Sequence, residues 1–230
     1  MDNIILVDWD GTLRDGYTSY DWLIFLEKNN TIPAKTSNAF KRLILSYKNK
    51  EIEYEDLVEQ TATITANAIK GINATLITEA TKDFVLQDNK VFDFVDELCD
   101  LIKDNNLKVV IISGAPEIVL NAFRIKFPFD YIKSLKFTTD KEGIFTGEYD
   151  INYGLLEQKK NAVEEIKQNI SKNILFSIGD SLSDKPLFKS SQHAYMMKGH
   201  DTTHSIGKAL LTTPNDIISL INTTIWNKGN

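Results

Sequence analysis

Cysteine is almost missing from this chain: Cys99 is the only one in 230 residues. An intrachain disulfide is excluded, and so is a metal cage built from thiolates. Cys99 itself sits on an apolar helical stripe and reads as a small buried hydrophobe. Long apolar runs are absent too, and nothing approaches the roughly 18 residues of a membrane span. Positive charge is in deficit, with 26 Lys and Arg against 32 Asp and Glu and a formal net charge of −6. Duplex phosphates demand clustered basic side chains, so no nucleic-acid partner is expected. A small anionic substrate stays open, because one lysine and a metal ion can reverse the sign of the field inside a cleft. Arginine is rare: only Arg14, Arg42 and Arg124. Of the three histidines, His193, His200 and His204, only the last two stand four apart, in a Gly- and Thr-bearing segment that reads as surface. No repeat, low-complexity stretch or linker interrupts the chain. No signal-peptide pattern precedes the first apolar run, so a cytoplasmic location is expected.

Short runs rich in branched residues stand out against this background: Ile4–Val7, Lys108–Ile112, Ile174–Ile178 and, more weakly, Ala194–Met197. Helical patterns lie between them. From Val91 to Lys103 the apolar residues form a broad stripe at helical spacing, and Glu117–Ile125 and Lys160–Ile170 follow suit. Pro116 suits a first helical turn, where its missing N–H costs nothing. Strands alternating with helices predict an α/β protein with a Rossmann-like, doubly wound parallel sheet and its site at the strands' carboxyl ends. Two stretches depart from the alternation. Residues 14–88 show only helical stripes, which predicts a small all-helical cap inserted between core segments 1–13 and 89–230. Leu135–Phe137 and Ile144–Thr146 flank Asp140-Lys141-Glu142-Gly143, a hairpin signal.

Polar clusters follow three of the apolar runs. Asp8-Trp9-Asp10-Gly11-Thr12 follows the first, Ser113-Gly114 the second, and Gly179-Asp180-Ser181-Leu182-Ser183-Asp184 the third. Carboxylates are almost never fully buried unless paired or bound to metal. Four of them delivered by two buried strands point to a divalent cation, with one carboxylate free to attack phosphorus. Residues i and i+2 of an extended segment point the same way, so Asp8 and Asp10 face one cleft while Trp9 packs into the core. Thr12 and Ser113 offer hydroxyls to phosphate oxygens, and Gly114 lets backbone approach them. Taken alone, Asp8-Trp9-Asp10-Gly11 could be a strand-end turn and Lys159-Lys160 a solvated helix start; their order and context argue otherwise.

The ordered set resembles the haloacid dehalogenase superfamily, in its phosphoserine-phosphatase-like group with a helical cap after the first motif. Asp8–Thr12 resembles motif one, Ser113 motif two, Lys159 or Lys160 motif three, and Gly179–Asp184 motif four. Lys159 is favoured because it places Ala162, Val163 and Ile166 at +3, +4 and +7 of one helical face. The resemblance implies a Mg2+-dependent phosphatase in which Asp8 is the nucleophile and Asp10 the acid–base. It implies metal ligands from Asp8, the Asp10 backbone and Asp180, with Asp184 holding a metal-bound water or ligating weakly. An aspartate at position 10 favours a phosphatase or phosphomutase over the superfamily's dehalogenases and transport ATPases. A metal- and phosphate-binding regulatory module is the rival from another class. The amino-acid-binding signature of phosphoserine phosphatases is not met: Tyr17 stands nine residues after Asp8, where that group places an acid. Arg14 and Tyr17 are the candidate specificity residues of the cap, Arg14 for an anionic substrate group. The expected partner is a small phosphorylated metabolite, with folded phosphoproteins and duplex ends refused.

Overall fold

The computed structural model describes residues 3–198 and 206–226; His200 and His204, read above as surface, lie outside them. The elements run β1 (Ile4–Val7), α1 (Thr18–Lys28), α2 (Thr36–Lys48), α3 (Tyr54–Ile69), α4 (Ala74–Gln87), α5 (Phe94–Asp104), β2 (Lys108–Pro116), α6 (Glu117–Phe123), β3 (Tyr131–Leu135), β4 (Phe137–Thr139), β5 (Phe145–Tyr149), α7 (Leu156–Asn169), β6 (Ile174–Gly179), α8 (Lys185–Ser190), β7 (His193–Met197), β8 (Leu210–Thr212) and α9 (Ile217–Trp226). A single 3-10 turn, Leu182–Asp184, precedes α8.

The main sheet has the order β3-β2-β1-β6-β7-β8, and every pairing in it is parallel. A buried parallel strand is apolar on both faces, and β1 shows how. Ile5 and Val7 enter one core with Trp9, Leu98, Leu120 and Ile217. Ile4 and Leu6 enter a second core with Val110, Ile112, Ala162, Val163 and Ile166. Helices thus cover both faces, with α7 and α8 on one side. From β1 the chain builds one flank through β2 and β3, then crosses back to lay β6 on the other side of β1 and continues outward through β7 and β8. That reversal is where open α/β sheets bind ligands.

Between β1 and α5 the chain makes four helices and no strand. Local chemistry starts them: the Asn73 side chain accepts the Thr75 N–H at 2.8 Å to cap α4, and Glu53 and Asp56 form a reciprocal capping box at α3. The segments entering and leaving this insert are stitched together, Phe92 N–H to the Leu13 carbonyl at 3.0 Å and Asp15 N–H to the Lys90 carbonyl at 2.9 Å. Two-stranded β4–β5 is the expected hairpin, and it reaches the insert at the α3–α4 loop: the Gly71 N–H donates to the Phe145 carbonyl at 2.8 Å and the Phe145 N–H to the Ile72 carbonyl at 3.0 Å.

Candidate active site

Register explains why the three polar clusters meet. Val7 pairs with Ile111 on one side and with Ile178 on the other. Asp8, Ser113-Gly114 and Gly179-Asp180 therefore come to one level, toward the carboxyl ends of three adjacent strands. Asp8 continues the phase of Ile4 and Leu6, toward the core that α7 lines. That helix presents Lys159, Ala162, Val163 and Ile166 on its buried face.

Lys159 Nζ donates to Asp8 Oδ1 at 2.8 Å and to Asp184 Oδ1 at 2.6 Å, and all three residues are buried. Lys160, the alternative lysine, lies at the surface against Glu157. Asp184 is the most engaged carboxylate. Its Oδ2 accepts the N–H groups of Asp180 and Ser181, each at 3.0 Å, and the Ser181 hydroxyl at 3.1 Å. It orients both the loop and the lysine. Two glycines make the approach of these acids possible. A Cβ on Gly11, whose φ is +76°, would lie 2.2 Å from Asp180 Oδ2, and one on Gly179 would lie 2.5 Å from Asp184 Cγ. No side chain fits at either position.

Asp10 stands apart from the lysine. Its carboxylate accepts the Thr18 N–H at 3.0 and 3.1 Å and also the Thr18 hydroxyl, and Trp9 Nε1 donates to the same hydroxyl at 2.9 Å. Trp9 is core, as expected, packed on Phe123, Phe127 and Phe129. Thr12 is buried with its hydroxyl 3.5 Å from Asp8 Oδ2, at the long limit of a hydrogen bond. Ser113 Oγ accepts the Ala115 N–H at 3.2 Å. Gly114 passes so close to the 152–154 loop that an added Cβ would meet Gly154 Cα at 3.0 Å.

Burial sets the electrostatics. It pushes the Asp8 carboxyl up to about 6 despite the opposing pull of Lys159. It pushes Asp10 up to about 7, against the Thr18 hydrogen bond. Asp180 is held well above the usual carboxylate range by burial and then by the charges of Asp8 and Asp184. Oxygen atoms of Asp8, Asp180 and Asp184 lie within 4.8 Å of one another. Lys159 bonds Asp8 and Asp184, and mutual repulsion among the three carboxylates is one cause of the raised pKa values of Asp8 and Asp180. Oxygen-only donors that repel one another fit a hard divalent cation such as Mg2+.

The expectation for Arg14 needs correction. Its guanidinium is fully buried and does not face a cleft. Nε and Nη2 grip Asp88, the closest contact being 2.6 Å, while Nη2 also meets Asp21 at 2.9 Å and Nη1 donates to the Asp15 carbonyl. A buried guanidinium requires such partners, and they consume its donors at the neck of the helical insert. Trp22 of α1 is buried, with its Nε1 donating to the Thr81 hydroxyl at 3.0 Å. Tyr17 is partly exposed where α1 begins.

Two residues near the site escape a reading by motif. Thr18 opens α1 and holds Asp10. Tyr54 opens α3, and burial pushes its phenol up within the field of Lys159, Asp8 and Asp184. Only the docking of the insert brings either one in, so no local spacing marks them.

Residues 5–189 match the family model described as haloacid dehalogenase-like hydrolase. The chain belongs to that family. No curated protein matches it. Solved structures are similar to this haloacid dehalogenase-like chain at low identity. One is a HAD family hydrolase from Salmonella enterica serovar Typhi, 16% identical, with a TM-score of 0.63 over 86% of this chain and 63% of that one. This chain thus spans less than two thirds of the Salmonella protein. Another is a probable phosphoserine phosphatase from Vibrio cholerae in unliganded form, 13% identical, TM-score 0.67, covering 100% of this chain and 67% of that one. A phosphoserine phosphatase from T. onnurineus is 19% identical, TM-score 0.59, over 96% and 94%. At such identities the likeness is one of fold: the haloacid dehalogenase-like α/β sheet flanked by helices.

Proposed function

We propose that the chain is a Mg2+-dependent phosphatase that hydrolyses a small phosphomonoester through an aspartyl-phosphate on Asp8. One observation carries the reading: Asp8 and Asp184 share Lys159 at 2.8 and 2.6 Å beside Asp180, with Asp10 two residues from the nucleophile. Asp8, Asp180 and the Asp10 backbone carbonyl would hold the ion, and Asp184 would orient the loop. When bound, Mg2+ neutralises charge on the phosphoryl group and so permits attack by an anion.

The remaining chemistry belongs to the protein. A carboxylate oxygen of Asp8 bonds to phosphorus as the ester P–O bond breaks. Asp10, raised to about 7, is partly protonated at neutral pH, and in that form it gives its proton to the departing alkoxide. Water then attacks the aspartyl-phosphate, and Asp10 takes the proton back as phosphate leaves. Asp8 at about 6 is mostly ionised at the same pH. Two adjacent carboxyls with different ionisation suit the roles of nucleophile and acid. Lys159 fixes the nucleophile and stabilises charge at the phosphoryl site. Residues 14–88 would act as a cap that selects the leaving group, while the core handles phosphate.

The deciding experiment is phosphate release from p-nitrophenyl phosphate and a panel of phosphorylated metabolites, with Mg2+ and with excess chelator. Release that requires Mg2+ is expected. Full activity in chelator, or no release from any ester, would overturn the proposal.

A further inference from the structure

We propose that Asn152 is a positioning residue that couples the helical insert to the phosphate loop, so that phosphate bound at Gly114 holds α3 down over the site. The placing of phosphate at Gly114 rests on the phosphatase reading given above.

Asn152 stands between β5 and α7 and is buried. Its side chain bonds in two directions. Nδ2 donates to the Val58 carbonyl of α3, 94 residues away, at 3.1 Å. Oδ1 accepts the Gly154 N–H at 3.0 Å. A carbonyl can only accept and a backbone N–H can only donate, so the amide has one orientation. Aspartate would lose the donor, and leucine would lose both bonds. The braced loop also packs against the phosphate side. A Cβ on Gly114 would lie 3.0 Å from Gly154 Cα and 3.3 Å from Asn152 Oδ1. One on Gly154 would lie 3.0 Å from Val58 Cγ1 and 3.2 Å from Gly114 Cα. Gly114, the 152–154 loop and α3 thus pack in series, too closely for a side chain at either glycine. The same loop launches the helix of Lys159: the Leu155 N–H reaches the Asn152 carbonyl at 3.4 Å, and the Leu155 carbonyl accepts the Lys159 N–H at 2.9 Å.

The two ends of α3 are held differently. Past its last turn, the Gly71 N–H bonds the Phe145 carbonyl and the Ala74 N–H the Gly143 carbonyl, each at 2.8 Å, which straps the α3–α4 loop to the hairpin. Val58 lies in the first half of the helix, and there the Asn152 amide ties it to the core. Swinging α3 about the strap pulls on that amide. A ligand that orders Gly114 orders the loop packed on it, and the amide carries the order to α3. By linkage, a seated α3 favours phosphate by the same factor.

The test uses the full chain in Mg2+ and follows hydrogen exchange of the α3 amides with and without saturating inorganic phosphate. In the parent, phosphate should slow their exchange about fivefold or more. With Asn152→Ala, at phosphate levels that saturate the variant, the response should shrink to within about twofold. Asn152→Asp keeps the acceptor for Gly154 and should lose the response likewise; it serves alone if the alanine chain does not fold. In kinetics, KM for p-nitrophenyl phosphate should rise about fivefold, the weight of one neutral hydrogen bond, with kcat within about twofold. A purely structural role would lower kcat with the folded fraction and leave KM alone. Exchange in the parent that ignores phosphate, an undiminished response in a folded variant, or a fall in kcat at constant KM would each overturn the proposal. A parent that does not bind phosphate would overturn both this proposal and the phosphatase reading. A parent that binds phosphate but hydrolyses no ester would defeat that reading alone, and the response of α3 would still decide the role of Asn152.

Discussion

At the scale of single residues, the site places one buried cation between two buried anions, and this makes its members unequal. Asp8→Asn should abolish phosphate release while the circular dichroism spectrum and cooperative unfolding persist. Asp10→Asn should slow the first step by roughly a hundredfold or more, as expected for a lost general acid, and leave the Lys159 contacts intact. Near-normal turnover by Asp8→Asn would defeat the covalent mechanism. Lys159→Met is a different kind of change. It strands Asp8 and Asp184, both buried, without their shared partner. Breaking a buried pair from one side costs about 3–5 kcal/mol, so urea unfolding of the metal-free variant should report a loss of that order. A loss below about 1 kcal/mol would mean that water or a neighbouring donor replaces the lysine. Lys160→Met, on the solvated side of the same helix, should change neither stability nor turnover appreciably.

At the scale of elements, the neck of the insert is held by buried charge, where the sequence offered Arg14 as a contact for an anionic substrate group. Arg14 and Asp88 are both buried and lie 74 residues apart in sequence. Arg14→Met should therefore lower stability by about 3–5 kcal/mol, and Asp88→Asn by less, because an amide still accepts from the guanidinium. Arg14→Met should leave the ranking of substrates unchanged, the reverse of what its place in the sequence suggests. A reordered substrate panel at unchanged stability would restore the substrate-facing role. The sequence could not reveal this, because it shows that Arg14 follows the catalytic loop but not that Asp88 returns beside it. The same limit applies to Thr18 and Tyr54. Strands were legible where burial on both faces left continuous apolar runs, as in Ile4–Val7. They were not legible at the sheet edges. β3 (Tyr131–Leu135) begins exposed and becomes buried only at Ser134 and Leu135, with Lys133 paired to Glu165, and β8 has three residues. Leu135 looked like part of the hairpin but closes β3. Val91 looked like a helix start, yet it bridges to Arg14, and α5 begins at Phe94. Lys159 was legible because a buried lysine at a helix start keeps the apolar spacing behind it.

At the scale of the whole molecule, stability and catalysis pull the acidic cluster in opposite directions. Asp8 at about 6 and Asp10 at about 7 both stand above the usual carboxylate value of 3.8. Between pH 4 and pH 7 the folded chain therefore holds protons that the unfolded chain has released. Stability follows the difference in bound protons, so this contribution is fully present below pH 4 and is lost as pH rises through 7. Asp10→Asn removes one such group. In the presence of chelator, the variant should gain on the parent chain as pH rises from 5 to 8, by about 1–3 kcal/mol. Adding Mg2+ to the parent should act against the loss, by about 2.7 kcal/mol at a hundredfold excess over its dissociation constant. The gain should be larger at pH 8 than at pH 5, because protons and metal compete for the same oxygens. Thermal unfolding across this pH range, with and without Mg2+, checks both signs at once. If Mg2+ stabilises equally at pH 5 and pH 8, its ligands are not the raised carboxylates of this cluster. If Asp10→Asn tracks the parent at every pH, the proton on Asp10 is not held by the fold.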